Sequence, residues 1–251
     1  MEEKRGKFKR FFGKVAAIID SYDDTHNFTC DVCGREVFGG ERVCATCLKE
    51  LPWNNAEICP FCGRKVKEAG TCLECKEKLL ITEKARSAFT HEGEAMRLVI
   101  RFKNGNKYLV RTLAELLFPL LEREFAEADA VTFVPMTEKD EKKRGYNQSK
   151  LLAERLAQMS GKEFLNAAIK QRQTDSQKTL GRKEREKNLE RCFHVTDRAA
   201  VKGKKILIID DTLTTGATSS ELADTLKRAG AKTVYLLTAT SVEKKDPFGI
   251  K

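Results

Sequence analysis

Two patterns of apolar and polar positions meet near residue 81 of this 251-residue chain. Beyond that point, strand-like and helix-like segments alternate. Residues 130–135 (Ala-Val-Thr-Phe-Val-Pro) form a short β-branched and aromatic run. Residues 204–210 contain four consecutive aliphatics, Ile206 to Ile209, the pattern of a strand covered on both faces. Residues 233–239 read as a further strand. Residues 149–159 and 219–229 carry apolar positions at helical spacing, and an early helix is expected over 94–123. Its core stripe is Leu113, Leu116, Leu117, Leu120 and Leu121, with Pro119 bending its end. Strands alternating with helices predict an α/β fold with a parallel sheet flanked by helices. Residues 170–191 are charged and aperiodic and read as a long mobile loop.

Lys and Arg number 47 against 37 Asp and Glu, a net charge of +10. The excess is unevenly placed, with +1 on residues 1–80 and +9 on residues 81–251. Basicity therefore belongs to the second region, where anionic ligands are expected. The longest apolar runs, such as Val15 to Ile19, fall far short of the roughly 20 residues that span a bilayer, so no membrane insertion is expected. A basic, aromatic start followed by only five apolar residues does not make a secretion signal, and a cytoplasmic setting is expected. Clustered thiols in a reducing compartment are metal ligands more often than disulfides.

Eight of the nine cysteines lie between residues 30 and 75 as four Cys-x-x-Cys pairs, Cys30/Cys33, Cys44/Cys47, Cys59/Cys62 and Cys72/Cys75. A tight turn with two intervening residues brings both sulfurs to one tetrahedral ion, and a second such turn closes a four-thiolate site. Two structural Zn²⁺ ions are expected. Pairing first with second and third with fourth is favoured because it closes the shorter loops. Gly34 and Gly63 follow their cysteines where a positive φ turns backbone amides toward sulfur. Trp53, Phe61, Arg64 and Lys65 either present a binding surface or cover a core too small to stand without metal. Cys192 reads as buried and inert, and His26, His91 and His194 as surface or packing residues.

The densest chemistry lies in the run Ile206-Leu-Ile-Ile-Asp210-Asp211-Thr-Leu-Thr214-Thr215-Gly216-Ala217-Thr218. Two carboxylates end a buried strand, and a turn of small residues leads into a helix, the edge at which open α/β sheets bind ligands. Such a turn exposes amides and hydroxyls at a helix N-terminus, which favours phosphate. The run lacks the lysine of a P-loop and the glycine spacing of a dinucleotide fold.

This run resembles the phosphoribosyl pyrophosphate (PRPP) signature of type I phosphoribosyltransferases. With Val134-Pro135, Lys143-Arg144-Gly-Tyr-Asn-Gln-Ser149, Arg172-Gln-Thr174 and the Lys103-Asn-Gly105 segment, the chain resembles the ComF-like, late-competence branch of that superfamily, which carries an N-terminal double zinc ribbon. The resemblance covers Cys30 to Ala239, and the chain is expected to divide into a basic extension over 1–25, a double zinc ribbon over 26–80 and a phosphoribosyltransferase-like domain over 81–251. The resemblance implies that Thr214, Thr215, Gly216, Ala217 and Thr218 hold the 5-phosphate and that Asp210 and Asp211 bind the ribose hydroxyls, with Mg²⁺ nearby. A turn after Pro135 would bring Lys143 and Arg144 to pyrophosphate, with Arg172 closing from the long loop. Three readings follow: a PRPP-binding protein serving single-stranded DNA uptake alongside competence machinery proteins, an active phosphoribosyltransferase acting on a base or amine, and a non-catalytic nucleotide-sensing or DNA/protein adaptor.

Overall fold

The computed structural model describes residues 28–55, 57–77, 80–171 and 192–243. Within the chain, contacts separate two compact units, Met1–Leu51 and Pro52–Lys251. In the smaller, residues 29–36 form a knuckle closed by Gly34 N–H to the Cys30 carbonyl at 2.8 Å, with Gly34 at φ 74°. Helix α1 (Ala45–Glu50) follows, its first turn capped by the Cys44 sulfur.

The larger unit opens with a second knuckle of the same design, Gly63 N–H to the Cys59 carbonyl at 2.9 Å with Gly63 at φ 68°, and a short helix α2 (Leu73–Glu77). Its four cysteines are buried in one apolar cluster with Ala85, Ile208, Leu213 and Leu222 of the domain beyond. Trp53 is half-buried against Phe89, ring centroids 4.5 Å apart, and Arg64 is 1% exposed, so neither presents a surface. Phe61 and Lys65 are exposed.

Five strands form a parallel sheet in the order β1-β7-β6-β2-β3: β1 (Lys84–Thr90), β2 (Ala130–Phe133), β3 (Glu163–Phe164), β6 (Lys205–Leu213) and β7 (Thr233–Ser241). Two three-residue strands, β4 (Ala168–Lys170) and β5 (Phe193–Val195), pair antiparallel outside it. The four aliphatics of β6 are all at 0% exposure because side chains alternate between covered faces. Ile206 and Ile208 meet Leu222 and Leu226 of helix α8 (Ala217–Arg228) in one cluster. On β7, Tyr235 meets Phe125 at 5.7 Å between ring centroids. Phe125 ends helix α4 (Leu109–Phe125), which packs with helix α6 (Gln148–Ser160).

Several elements differ from the sequence reading. The early helix is two, α3 (Gly93–Lys103) and α4, broken where Gly105 takes φ 107°. Pro119 sits exposed inside α4, which continues to Phe125, because its ring faces solvent and the core stripe is carried by Leu113, Leu117 and Leu121. The segment after Pro135 is a helix, α5 (Glu138–Arg144), rather than an open turn. Thr137 caps its start by accepting from the Asp140 amide at 3.2 Å, acidic residues fill the first turn and basic ones the last, and Gly145 at φ 86° ends it. Helix α7 (Arg198–Val201) precedes β6. The loop expected over 170–191 lies, from 172 onward, outside the described residues. Among those described, no helix is long and apolar enough to cross a membrane.

Candidate functional site

β2 continues toward β3 on one side of the sheet, and β6 toward β7 on the other, so the C-terminal ends of β2 and β6 flank a topological switch point. Asp210 stands there, and β6 runs on through Asp211 to Leu213. The Ser149 hydroxyl donates to Asp210 Oδ1 at 2.8 Å, and the Asp211 amide donates to the same oxygen at 2.9 Å. Ser149 reaches it because α6 starts just above β2, capped by Asn147, whose amide nitrogen also donates to the Val134 carbonyl at 3.1 Å. Burial, and then the charge of Asp211 beside it, push the Asp210 carboxyl up to about 7. No ion pair involves Asp210 among the described residues.

Asp211 is held differently. Lys103, at the end of α3, pairs with Asp211 Oδ1 at 2.7 Å and donates to the Thr212 hydroxyl at 3.2 Å. Thr212 meets the Thr240 hydroxyl at 3.3 Å, which meets His91 Nδ1 at 2.8 Å. Burial and the Lys103 charge hold His91 below its usual range. His91, read from the sequence as a packing residue, thus lies two hydroxyls from the Asp211–Lys103 pair.

The turn after β6 exposes Thr214 and Thr215 and buries Gly216, at φ 78°, directly before α8. Glycine suits this position, since φ 78° strains any other side chain and a Cβ would also have to displace the Leu80 methyl. Thr215 Oγ1 accepts from the Ala217 amide at 3.3 Å. The Thr214 carbonyl accepts from Nη2 of Arg64 in the second knuckle. This turn of small residues leads directly into the 12-residue helix α8, whose N-terminal dipole points at it.

Arg144, at the exposed end of α5, donates to Gln148 Oε1 at 2.9 Å, and Gln148 Nε2 lies 3.5 Å from the Lys103 carbonyl, so contacts run from Arg144 to the Asp211 pair. Lys143 is exposed beside it. Arg172 lies outside the described residues. Sequence reasoning did not place Lys103 at this site, and read Arg64 only as a residue of the ribbon's surface or core. The Lys-Asn-Gly segment was a signal for the first, but no local pattern marks the second, whose contact spans 150 residues.

The eight paired cysteines gather as Cys30, Cys33, Cys44, Cys47 and as Cys59, Cys62, Cys72, Cys75, with the sulfurs of each set within 4.8 Å of one another. The Cys33 and Cys44 sulfurs lie 3.9 Å apart and the Cys62 and Cys72 sulfurs 3.5 Å, close to the roughly 3.8 Å edge of a zinc–thiolate tetrahedron with 2.3 Å bonds. The Cys44 amide donates to Cys30 Sγ at 3.3 Å, and Arg35 Nε to Cys33 Sγ at 3.4 Å, a contact that brings the Cys33 thiol down to about 6. Against the cost of burial, amides of Cys62, Cys72 and Phe61 bring Cys59 down to about 7. Both sets fit a thiolate-bound divalent ion.

Two families match the chain, the Double zinc ribbon domain over residues 27–76 and the Phosphoribosyl transferase domain over 142–247. Competence protein ComFC of Bacillus subtilis is 28% identical over 76% of this chain and 81% of its own length. Competence protein F of Haemophilus influenzae is 27% identical over 84% of this chain and 95% of its own. DNA utilization protein YhgH of Salmonella typhimurium is 29% identical over 77% and 88% respectively.

Proposed function

The chain belongs to the ComF-like family of the type I phosphoribosyltransferase superfamily, with a double zinc ribbon ahead of the transferase-type domain, and we propose that it binds PRPP or a related ribose 5-phosphate together with Mg²⁺. The observation that carries this reading is the pairing of a costly carboxylate with a phosphate-ready turn. Asp210 is pushed up to about 7 by burial and by Asp211, four residues before a turn whose positive φ favours Gly216. A folded protein gains nothing for its stability from an unpaired acid in that position.

In this reading the amides and hydroxyls of Thr214 to Thr218 hold the 5-phosphate, and Asp210 and Asp211 accept from the ribose hydroxyls. Lys103 already offsets the Asp211 charge, and Asp210 supplies the hard oxygen that suits Mg²⁺. Mg²⁺, when bound, neutralises charge on the departing pyrophosphate. Lys143 and Arg144 face that leaving group, and the resemblance adds Arg172, which lies outside the described residues, as a further charge donor. If an acceptor nitrogen is present, its lone pair forms the new bond at the anomeric carbon as the bond to pyrophosphate oxygen breaks, and the nitrogen's proton passes to solvent. Positive charge grows on the sugar and negative charge on the leaving group, so placed cations outweigh a strong base. The eight reduced thiols suit a cytoplasmic setting, and the names of the competence and DNA-utilization relatives support a role in competence or DNA use, which on this reading is the uptake of single-stranded DNA.

Titration calorimetry with PRPP and Mg²⁺ tests the site. Saturable binding is expected in the native chain and none in Asp210→Asn/Asp211→Asn; unchanged binding in that double variant would sink the assignment. Pyrophosphate release with a panel of bases and amines separates an enzyme from a non-catalytic adaptor.

A further inference from the structure

Arg64 is 1% exposed, and its side chain crosses from the second cysteine knuckle to the turn after β6, where Nη2 donates to the Thr214 carbonyl. Nε and Nη1 are buried with no hydrogen-bond partner among the described residues. A guanidinium keeps its proton in any protein environment, so this is a buried positive charge resting on one neutral acceptor. Arg64 follows Cys62 by two residues in the same knuckle. Four thiolates around one Zn²⁺ would carry a net charge of about −2, and such a cluster in the same knuckle would favour a cation at Arg64 without a direct hydrogen bond to it.

The base of this strut is fixed to the sheet. The Ala85 amide donates to the Phe61 carbonyl at 2.9 Å, and Arg86 Nη1 donates to the Pro60 carbonyl at 3.0 Å. At Gly63 the backbones approach so closely that a Cβ would lie 2.7 Å from the Ala85 carbonyl oxygen. The knuckle therefore cannot drift while β1 stays in place.

We infer that Arg64 is a positioning residue that ties the second four-cysteine site to the phosphate turn, fixing the Thr214 carbonyl and with it the direction in which the amides of residues 214–218 point. The ligand side of this inference rests on the function proposed above; the ordering of the turn does not.

The test uses the full zinc-loaded chain, with Arg64→Met removing charge and donors at similar length and Arg64→Lys keeping charge with a single, shorter donor group. Hydrogen–deuterium exchange is followed over residues 214–218, with β7 and α6 as internal references. Both zinc ions are expected to remain in Arg64→Met. Exchange over 214–218 should rise at least tenfold with the references unchanged, PRPP should bind at least tenfold more weakly, and Arg64→Lys should fall between. Should the Met variant not fold, the Lys variant decides by the same local rise. Unchanged exchange over 214–218, or a rise spread equally over β7 and α6, overturns the inference. So does a variant that binds PRPP as tightly as a native chain that binds it. A native chain that binds no PRPP refutes the proposed function instead, and the exchange comparison still decides the role of Arg64.

Discussion

Replacing Asp210 by Asn should make the folded protein more stable, and by an amount that depends on pH in a specified way. Both hydrogen bonds to this side chain, from Ser149 and from the Asp211 amide, land on Oδ1, which an asparagine carbonyl retains. What the substitution removes is the charge. The carboxyl rises from an ordinary 3.8 to about 7 in the folded chain. A raised folded-state value gives stability that is complete below the unfolded value and is lost as pH rises through the folded one. Between those limits the native chain loses about 1.4 kcal/mol per pH unit relative to a neutral side chain. From pH 5.5 to about 8 the gap between variant and native chain should widen by about 2 kcal/mol, then stay level. In the larger unit this corresponds to roughly 4–8 °C in melting temperature. Scanning calorimetry of both proteins from pH 5.5 to 8.5 reads the gap directly, and zinc-linked titrations cancel in the difference. A gap that does not change with pH, or a native chain more stable than the variant at pH 8, would refute the argument that Asp210 is an unpaired acid retained for binding.

Lys103→Met should destabilise the chain by about 1–3 kcal/mol, less than a fully buried pair costs, because Asp211 loses its partner. His91 should then titrate higher, since the Lys103 field adds to burial in lowering it; imidazole NMR checks this, and an unmoved His91 would break the proposed link. Gly216→Ala should cost about 1–3 kcal/mol and abolish PRPP binding. Adding Leu80→Ala should not restore it, because the positive φ remains; calorimetry of the single and double variants decides. Cys75→Ser should leave one zinc ion per chain by elemental analysis and lower the melting temperature of the larger unit, whose buried cluster contains that sulfur; two retained zinc ions would contradict the assigned ligand set.

Much of this architecture is legible where one residue pattern admits one structure. Ile206 to Ile209 can be buried only between two layers of helix, and two adjacent acids followed by Thr-Thr-Gly-Ala-Thr mark where the strand ends in chemistry. The cysteine spacing likewise favours the sequential pairing that the structure shows. Short or mixed segments read less well. β1 is Lys-Ala-Arg-Ser-Ala-Phe-Thr, whose small buried residues carry no apolar alternation, and β4 and β5, three residues each, are too brief to show a period. α5 was hidden by its charge, although its Thr cap, acidic first turn, basic last turn and closing glycine are all helix signals. Arg64 and Lys103 show the other limit. Each takes its role from a partner more than 100 residues away, and only the folded chain brings them together.

A crystal structure of the chain grown with PRPP and Mg²⁺ tests the central claim most directly. The account predicts density for the 5-phosphate against the amides of residues 214–218, and for the ribose against Asp210 and Asp211. Density for the ligand elsewhere on the chain, or an empty turn under saturating ligand, would contradict it.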